Sequence, residues 1–194
     1  MRNLMNILLK YPIKYTFLAI LLIIVIVSSI VIASIDIKTS TSFIRKEKFE
    51  ESLISSDNIF QLSEYLLNKG DIYTLHKILT TYSSYTDVEE INLTDREKRI
   101  ILSTKRSNVG NVEKTTDFEG CSYRSLTKID CHFAVESKEN YHLIIKYDIS
   151  GYLKDYSAIM IKKYIIFLSI FAFTIGMINF VFFNLIGEKC RKNS

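Results

Sequence analysis

Charge is missing from two long stretches of this 194-residue chain. From Tyr15 to Ile35, and again from Tyr164 to Gly187, there is no Asp, Glu, Lys or Arg. A hydrocarbon core of ~30 Å needs about 20 apolar helical residues, so each run is long enough to span a bilayer. Two such runs at opposite ends argue against a buried core helix. The first also exceeds the ~7–15 apolar residues of a signal peptide. Val31 and Ala33 would suit a signal peptidase, but an uncleaved anchor is the expected form. Glycine and proline are missing from Asp36 to Asn68, which excludes a flexible linker after the first run. Catalytic signatures are missing too: no Gly-rich phosphate loop, no H-E-x-x-H and no nucleophile motif. The charges of the middle region alternate in sign, as on a solvated face. The chain is therefore expected not to be an enzyme and to need no cofactor or metal.

The charges that are present orient the chain. Residues 1–14 carry Arg2, Lys10 and Lys14 without an acid, and the tail after Gly187 carries Lys189, Arg191 and Lys192 against Glu188. Of 25 bases and 21 acids, the two ends hold six and one, which leaves 19 and 20 in between. Bases concentrate on the cytoplasmic side of membrane proteins. The expected organisation is a cytoplasmic tail (1–14), a first membrane helix (15–35), an extracytoplasmic domain (36–163), a second membrane helix (164–187) and a cytoplasmic tail (188–194). Lys162 and Lys163 weaken the contrast locally without reversing it, because long domains translocate largely regardless of charge. The basic excess thus reports topology, and no nucleic-acid partner is expected.

Three cysteines occur. Cys121 and Cys131 lie in the middle domain, where an oxidising compartment favours a disulfide; Cys190, in the tail, is expected as a free thiol. Zinc is the competing reading, since Cys121, Cys131, His132 and His142 could supply four ligands. Their spacing matches no common zinc pattern, which favours the disulfide.

Within the middle domain, Phe49, Leu53, Phe60 and Leu67, thickened by Ile44, Ile59, Leu62 and Leu66, recur at helical spacing. They predict a long helix continuing from the first apolar run to a C-terminal cap at Gly70. Asp71 is the expected N-cap of a second helix through Ser83, with Leu75, Ile78 and Leu79 on one face. Strands are expected at Val88–Leu93 and Arg99–Thr104, paired as a hairpin, then at Ser122–Leu126, Ile129–Val135 and Tyr141–Tyr147. Ser107–Gly120 reads as a loop, and Gly151–Lys163 as a helix entering the second apolar run. The fold class is α+β, with about five antiparallel strands and a long N-terminal helix between two transmembrane helices.

The run Val88-Glu89-Glu90-Ile91-Asn92-Leu93-Thr94-Asp95, followed by Arg99-Ile100-Ile101-Leu102-Ser103-Thr104 and Asn108-Val109-Gly110, resembles the first hairpin of Cache domains. These are PAS-like extracytoplasmic sensor domains of bacterial histidine kinases, chemoreceptors and diguanylate cyclases. Leu143 to Ser150, followed by Leu153, resembles their closing strand with its Asp and exit helix. The turn Asp95-Arg96-Glu97-Lys98 departs from the pattern in lacking Gly, and the segment between Gly110 and Cys131 is short. The resemblance spans roughly Ile35 to Lys163. It implies a bacterial inner-membrane receptor module with a periplasmic or extracellular domain that binds a small ligand and shifts one membrane helix against the other. Only seven residues follow Gly187, so the output domain is expected on a membrane partner, or lost by truncation; a homodimer is the other expected assembly. The alternative reading is a non-sensing accessory subunit of a cell-envelope complex.

If a pocket exists, polar groups converging on the sheet's inner face should line it. The candidates are Tyr123, Arg124, His132, His142, Lys146 and Asp148, with an amino acid or organic acid as ligand. Arg124 or Lys146 would hold a carboxylate. Asp148 matches the resembled family's closing-strand position, where an acid meets a ligand amine. The bland alternatives are an exposed strand face for Arg124, Lys146 and His142, and a helix cap for Asp148. Asn179 and Asn184 are candidates for hydrogen bonding between membrane helices. Asn92-Leu93-Thr94 forms a glycosylation sequon that reads as a chance match.

Overall fold

A computed structural model of the chain describes residues 13–85, 87–113, 118–136 and 140–191. Arg2, Lys10 and Lys192 lie outside the described residues, as do the side chains of Lys14, Asn179, Asn184, Glu188, Lys189, Cys190 and Arg191. The elements in chain order are helix α1 (Ile13–Lys69), helix α2 (Ile72–Tyr85), strands β1 (Val88–Thr94) and β2 (Ile100–Ser103), a 3-10 turn (Arg106–Asn108), strands β3 (Gly120–Tyr123), β4 (Lys128–Val135) and β5 (Tyr141–Asp148), and helix α3 (Ser150–Arg191). The chain divides into two units, one of residues 1–40 with 156–194 and one of residues 41–155.

The first unit holds two helical stretches long and apolar enough to cross a membrane. Their large apolar side chains face outward: Ile24 is 60% exposed on α1 and Phe173 is 71% exposed on α3. The hydroxyl of Tyr164 donates to the Asp36 carboxylate, joining the two helices where their uncharged runs begin and end.

The second unit is an α+β domain around one antiparallel sheet of order β2-β1-β5-β4-β3. Its helix boundary follows the expected capping. Gly70 adopts φ +73°, a left-handed conformation that costs glycine little, and its N–H bonds Leu67 O at 3.0 Å. Asp71 Oδ1 then accepts from Thr74 N at 3.0 Å and starts α2. The glycine-free hairpin turn closes by another route. Asp95 Oδ1 accepts from the N–H groups of Glu97 and Arg99, and Lys98 takes φ 64° in place of a glycine.

Strand alternation sorts the sheet into two faces. Val88, Ile91 and Leu93 of β1, Leu102 of β2, Ile129, Cys131 and Val135 of β4, and Leu143, Ile145 and Tyr147 of β5 form the core with Ile59, Leu66 and Leu67 of α1 and Leu75 and Leu79 of α2. Cys121 stands directly opposite Cys131 in the β3–β4 register, their sulfurs at bonding distance, so the disulfide staples an edge strand to the sheet's interior.

The buried face of α1 keeps Ile59, Leu66 and Leu67 of the expected apolar stripe, with Phe49 and Phe60 packed beside them, and takes up three serines as well. Leu53 is 40% exposed, whereas Ser52, Ser56 and Ser63 are buried. Serine is small enough to let α1 approach the sheet, and its hydroxyl is satisfied locally: Ser52 Oγ donates to Lys48 O and Ser63 Oγ to Ile59 O. Ser56 Oγ instead bonds the hydroxyl of Tyr147 at 2.8 Å, across the helix–sheet interface.

Candidate functional site

The opposite sheet face is polar yet largely covered. By register it presents His142, Ile144, Lys146 and Asp148 of β5, Lys128, Asp130 and His132 of β4, and Glu90, Asn92 and Thr94 of β1. Glu90, Asn92, Thr94 and Ser103 are buried there, Asn92 and Thr94 completely. Complete burial also removes Asn92 as a glycosylation acceptor in the folded chain.

A backbone irregularity builds this face. The β1–β5 register shifts between Val88 and Glu90. Such a bulge places an extra residue in one strand and re-aims its side chains. Glu89 and Glu90, consecutive in sequence, therefore both serve the polar face. Glu89 receives Lys128 Nζ at 2.9 Å, Arg124 Nη2 at 3.3 Å and Lys105 Nζ at 3.7 Å. Glu90 accepts from Asn108 Nδ2 and stands 3.7 Å from Lys146 Nζ.

The chain after β2 reaches over the face. Glu113 takes Lys146 Nζ at 2.8 Å on one carboxylate oxygen and Asn92 Nδ2 at 2.7 Å on the other. Lys146 and Glu113 are each nearly buried, with side chains 14% and 13% exposed. Removing either partner of such a pair leaves an uncompensated charge, which costs more than the pair itself contributes. Arg124 adds a contact to Asp130 Oδ2 at 3.6 Å, and Lys128 one to Asp148 Oδ2 at 3.6 Å.

Several protonation equilibria are displaced. Hydrogen bonding from Lys128, opposed by partial burial, holds the Glu89 carboxyl below its ordinary range. Burial alone would raise Glu90, but hydrogen bonds from Asn108 and Asn92 and the nearby Lys146 outweigh it and leave it lowered. Burial lowers His132 against the opposing pull of Asp130 and Glu113, which favours a neutral imidazole. The Asp148 carboxyl is lowered chiefly by hydrogen bonds from Ser150, whose backbone N–H lies 2.9 Å from Oδ1. Asp148 thus guards the entry to α3, as the cap reading of this residue anticipates, while its other oxygen joins the ionic face.

Of the six candidate residues, Arg124, His132, Lys146 and Asp148 gather on this face, and His142 sits at its exposed end. Tyr123 does not. Its register partner Ile129 is a core residue, its ring stacks on Phe49 at 4.7 Å, and its hydroxyl donates to Arg45 O at 3.0 Å. Tyr123 is a helix-packing residue, because alternation turns it to the side opposite its neighbours Ser122 and Arg124. The residues that complete the face, Glu89, Glu90, Asn92, Glu113 and Asp130, were not among the candidates. The adjacent Glu89-Glu90 pair, which breaks strict alternation in an otherwise regular strand, is the sequence signal that would have found two of them.

No protein-family model matches the chain, and no curated protein does. Among the described residues there is no group of three or more His, Cys, Asp or Glu side chains placed to hold a metal ion. The face is a network of ion pairs and amide hydrogen bonds.

Proposed function

We propose that this chain is a membrane-anchored sensory input module. In this reading the domain of residues 41–155 is PAS-like, of the Cache type, and lies outside the cytoplasm. It binds a small ligand on the polar sheet face and passes a conformational change to the two apolar helices. The observation that carries the reading is the covered ionic face built on the central strands β1, β5 and β4. A solvated sheet face would expose its polar groups; here the Glu90 carboxylate and the Asn92 amide are buried and Glu113 is drawn across them. Drawing Glu90, Glu113, Lys146 and Asp130 largely out of water is costly for stability alone, and such sites concentrate where ligands are recognised. Further support comes from connectivity. The closing strand β5 ends at Asp148, whose carboxylate contacts the first residue of α3, and α1 is one element from Ile13 to Lys69. A ligand that alters the β5 network therefore has a short covalent path to a helix with an apolar run, and differential binding to two arrangements is sufficient for signalling.

The test is a thermal-shift screen of the full chain in detergent against amino acids, organic acids and amines. A ligand at a hundredfold excess over its Kd stabilises the fold by ~2.7 kcal/mol, and the reading expects such a hit. A well-folded protein with no hit in any class contradicts it.

One observation favours the accessory-subunit reading. Phe43, Ile54 and Tyr65 of α1 are 69%, 64% and 55% exposed, and their eleven-residue spacing places them on one line along the helix. That stripe suits a protein partner, and it becomes the leading reading if no small molecule binds.

A further inference from the structure

The cations of the polar face are committed. Lys146 serves Glu113 and Glu90, Arg124 serves Glu89 and Asp130, Lys128 serves Glu89 and Asp148, and Lys105 serves Glu89. The acceptors are not. Asn92 Oδ1 and Asp130 Oδ1 are buried and have no hydrogen-bond donor. The orientation of the Asn92 amide is fixed, since its Nδ2 is the group that donates to the Glu113 carboxylate and a flipped amide would set oxygen against oxygen. A buried acceptor left unpaired is costly, and two of them stand on this one face.

A carboxylate ligand would not supply those donors. It would add negative charge beside Glu90, Glu113 and Asp130, and it would have to take a cation from an existing pair. We infer that the face recognises a small organic cation carrying N–H donors, an ammonium or guanidinium compound, through Asn92 Oδ1 and Asp130 Oδ1. Resting on the sensory reading above, the inference replaces the organic-acid ligand with one of opposite charge. Register adds a dimension. Asn92 lies opposite Ile144 and Asp130 opposite Lys146, on the two strands that flank β5. Two strand spacings of ~4.8 Å and a two-residue step of ~6.8 Å put their Cα atoms about 12 Å apart. One ammonium does not reach both oxygens; a compound with donors at two ends does. The ligand class is thus narrowed to diamines and related two-ended cations.

The experiment is calorimetric titration of the full chain in detergent with 1,4-diaminobutane, propylammonium and guanidinium, and separately with acetate, lactate and succinate. The expected result is saturable binding of 1,4-diaminobutane, tighter than that of propylammonium. Asp130→Asn should weaken it at least tenfold while the circular dichroism spectrum stays unchanged. Should that variant not fold, Asn92→Ser tests the other end in the same way. Binding of the carboxylates but not of the amines overturns the inference and leaves the sensory reading standing. Amine binding indifferent to both substitutions overturns the assigned site. Absence of binding by either class overturns the inference and the sensory reading together.

Discussion

Replacing Tyr147 by Phe removes one oxygen from the centre of the helix–sheet interface, and the structure sets the consequence. The side chain is 3% exposed. Its hydroxyl lies 2.8 Å from Ser56 Oγ, 3.4 Å from Ser52 O and 3.5 Å from the hydroxyl of Tyr82, so only the first contact has good geometry. In Tyr147→Phe the Ser56 hydroxyl is free to turn to the carbonyl four residues back, as Ser52 and Ser63 already do. The loss is then the net value of one hydrogen bond, about 1 kcal/mol. In Ser56→Ala the tyrosine hydroxyl stays buried with two marginal partners, and the cost rises to about 2 kcal/mol. The double variant should cost little more than Tyr147→Phe alone, a coupling of about 1 kcal/mol or more. Urea unfolding of the chain in detergent, followed by near-ultraviolet circular dichroism, measures all three. Additive effects, or a Ser56→Ala cost below that of Tyr147→Phe, would refute the reasoning. The pH dependence has a definite sign. Burial, the largest cause, pushes the Tyr147 phenol far above its ordinary value of 10.0, so its contribution is complete below pH ~10 and is lost as pH rises beyond that. The gap between wild type and Tyr147→Phe should therefore narrow above pH ~10.

Other outcomes follow from single features. Reducing the Cys121–Cys131 bridge, which closes a loop of sequence separation 10, should cost about 2.8 kcal/mol by loop entropy; an unchanged melting midpoint on reduction would argue against its structural role. Lys98→Gly should stabilise the domain by about 0.5–1 kcal/mol, because the turn holds Lys98 at φ 64°; a loss in urea midpoint would contradict this. Glu89, Glu90 and Asp148 all have lowered carboxyl values. Their stabilisation is present above pH ~4.5 and is lost as pH falls through the folded values, so acid unfolding should begin below that pH. The variant Glu89→Gln should flatten the acid limb.

How much of this was legible beforehand differs by element. The helix cap at Gly70, the Asp71 start of α2 and the antiparallel strands all follow from local chemistry, and local chemistry is what a sequence displays. The edge strand β3 ends at Tyr123, three residues before the expected end at Leu126, because Arg124 and Ser125 close a turn onto Lys128 O. The buried stripe of α1 was legible at Ile59, Leu66 and Leu67, but its three serines were not, because serine reads as polar while these bury by bonding their own helix or Tyr147. The ionic face was only partly visible. Arg124, Lys146 and Asp148 announce themselves by type and position, and Tyr123 was misassigned because one residue of alternation sends it to the other side. Glu89, Asn92, Glu113 and Asp130 come together only through a bulge, a register and a connection between distant segments, none of which is local.

The most direct test of the whole account is topological. In intact cells, a thiol reagent that cannot cross membranes is applied to the chain carrying Tyr73→Cys, a position 82% exposed on α2. The account predicts rapid labelling at residue 73, and labelling of Cys190 only after the cells are opened. Labelling of Cys190 in intact cells, or protection of residue 73 until lysis, would contradict an extracytoplasmic sensor held between two membrane helices.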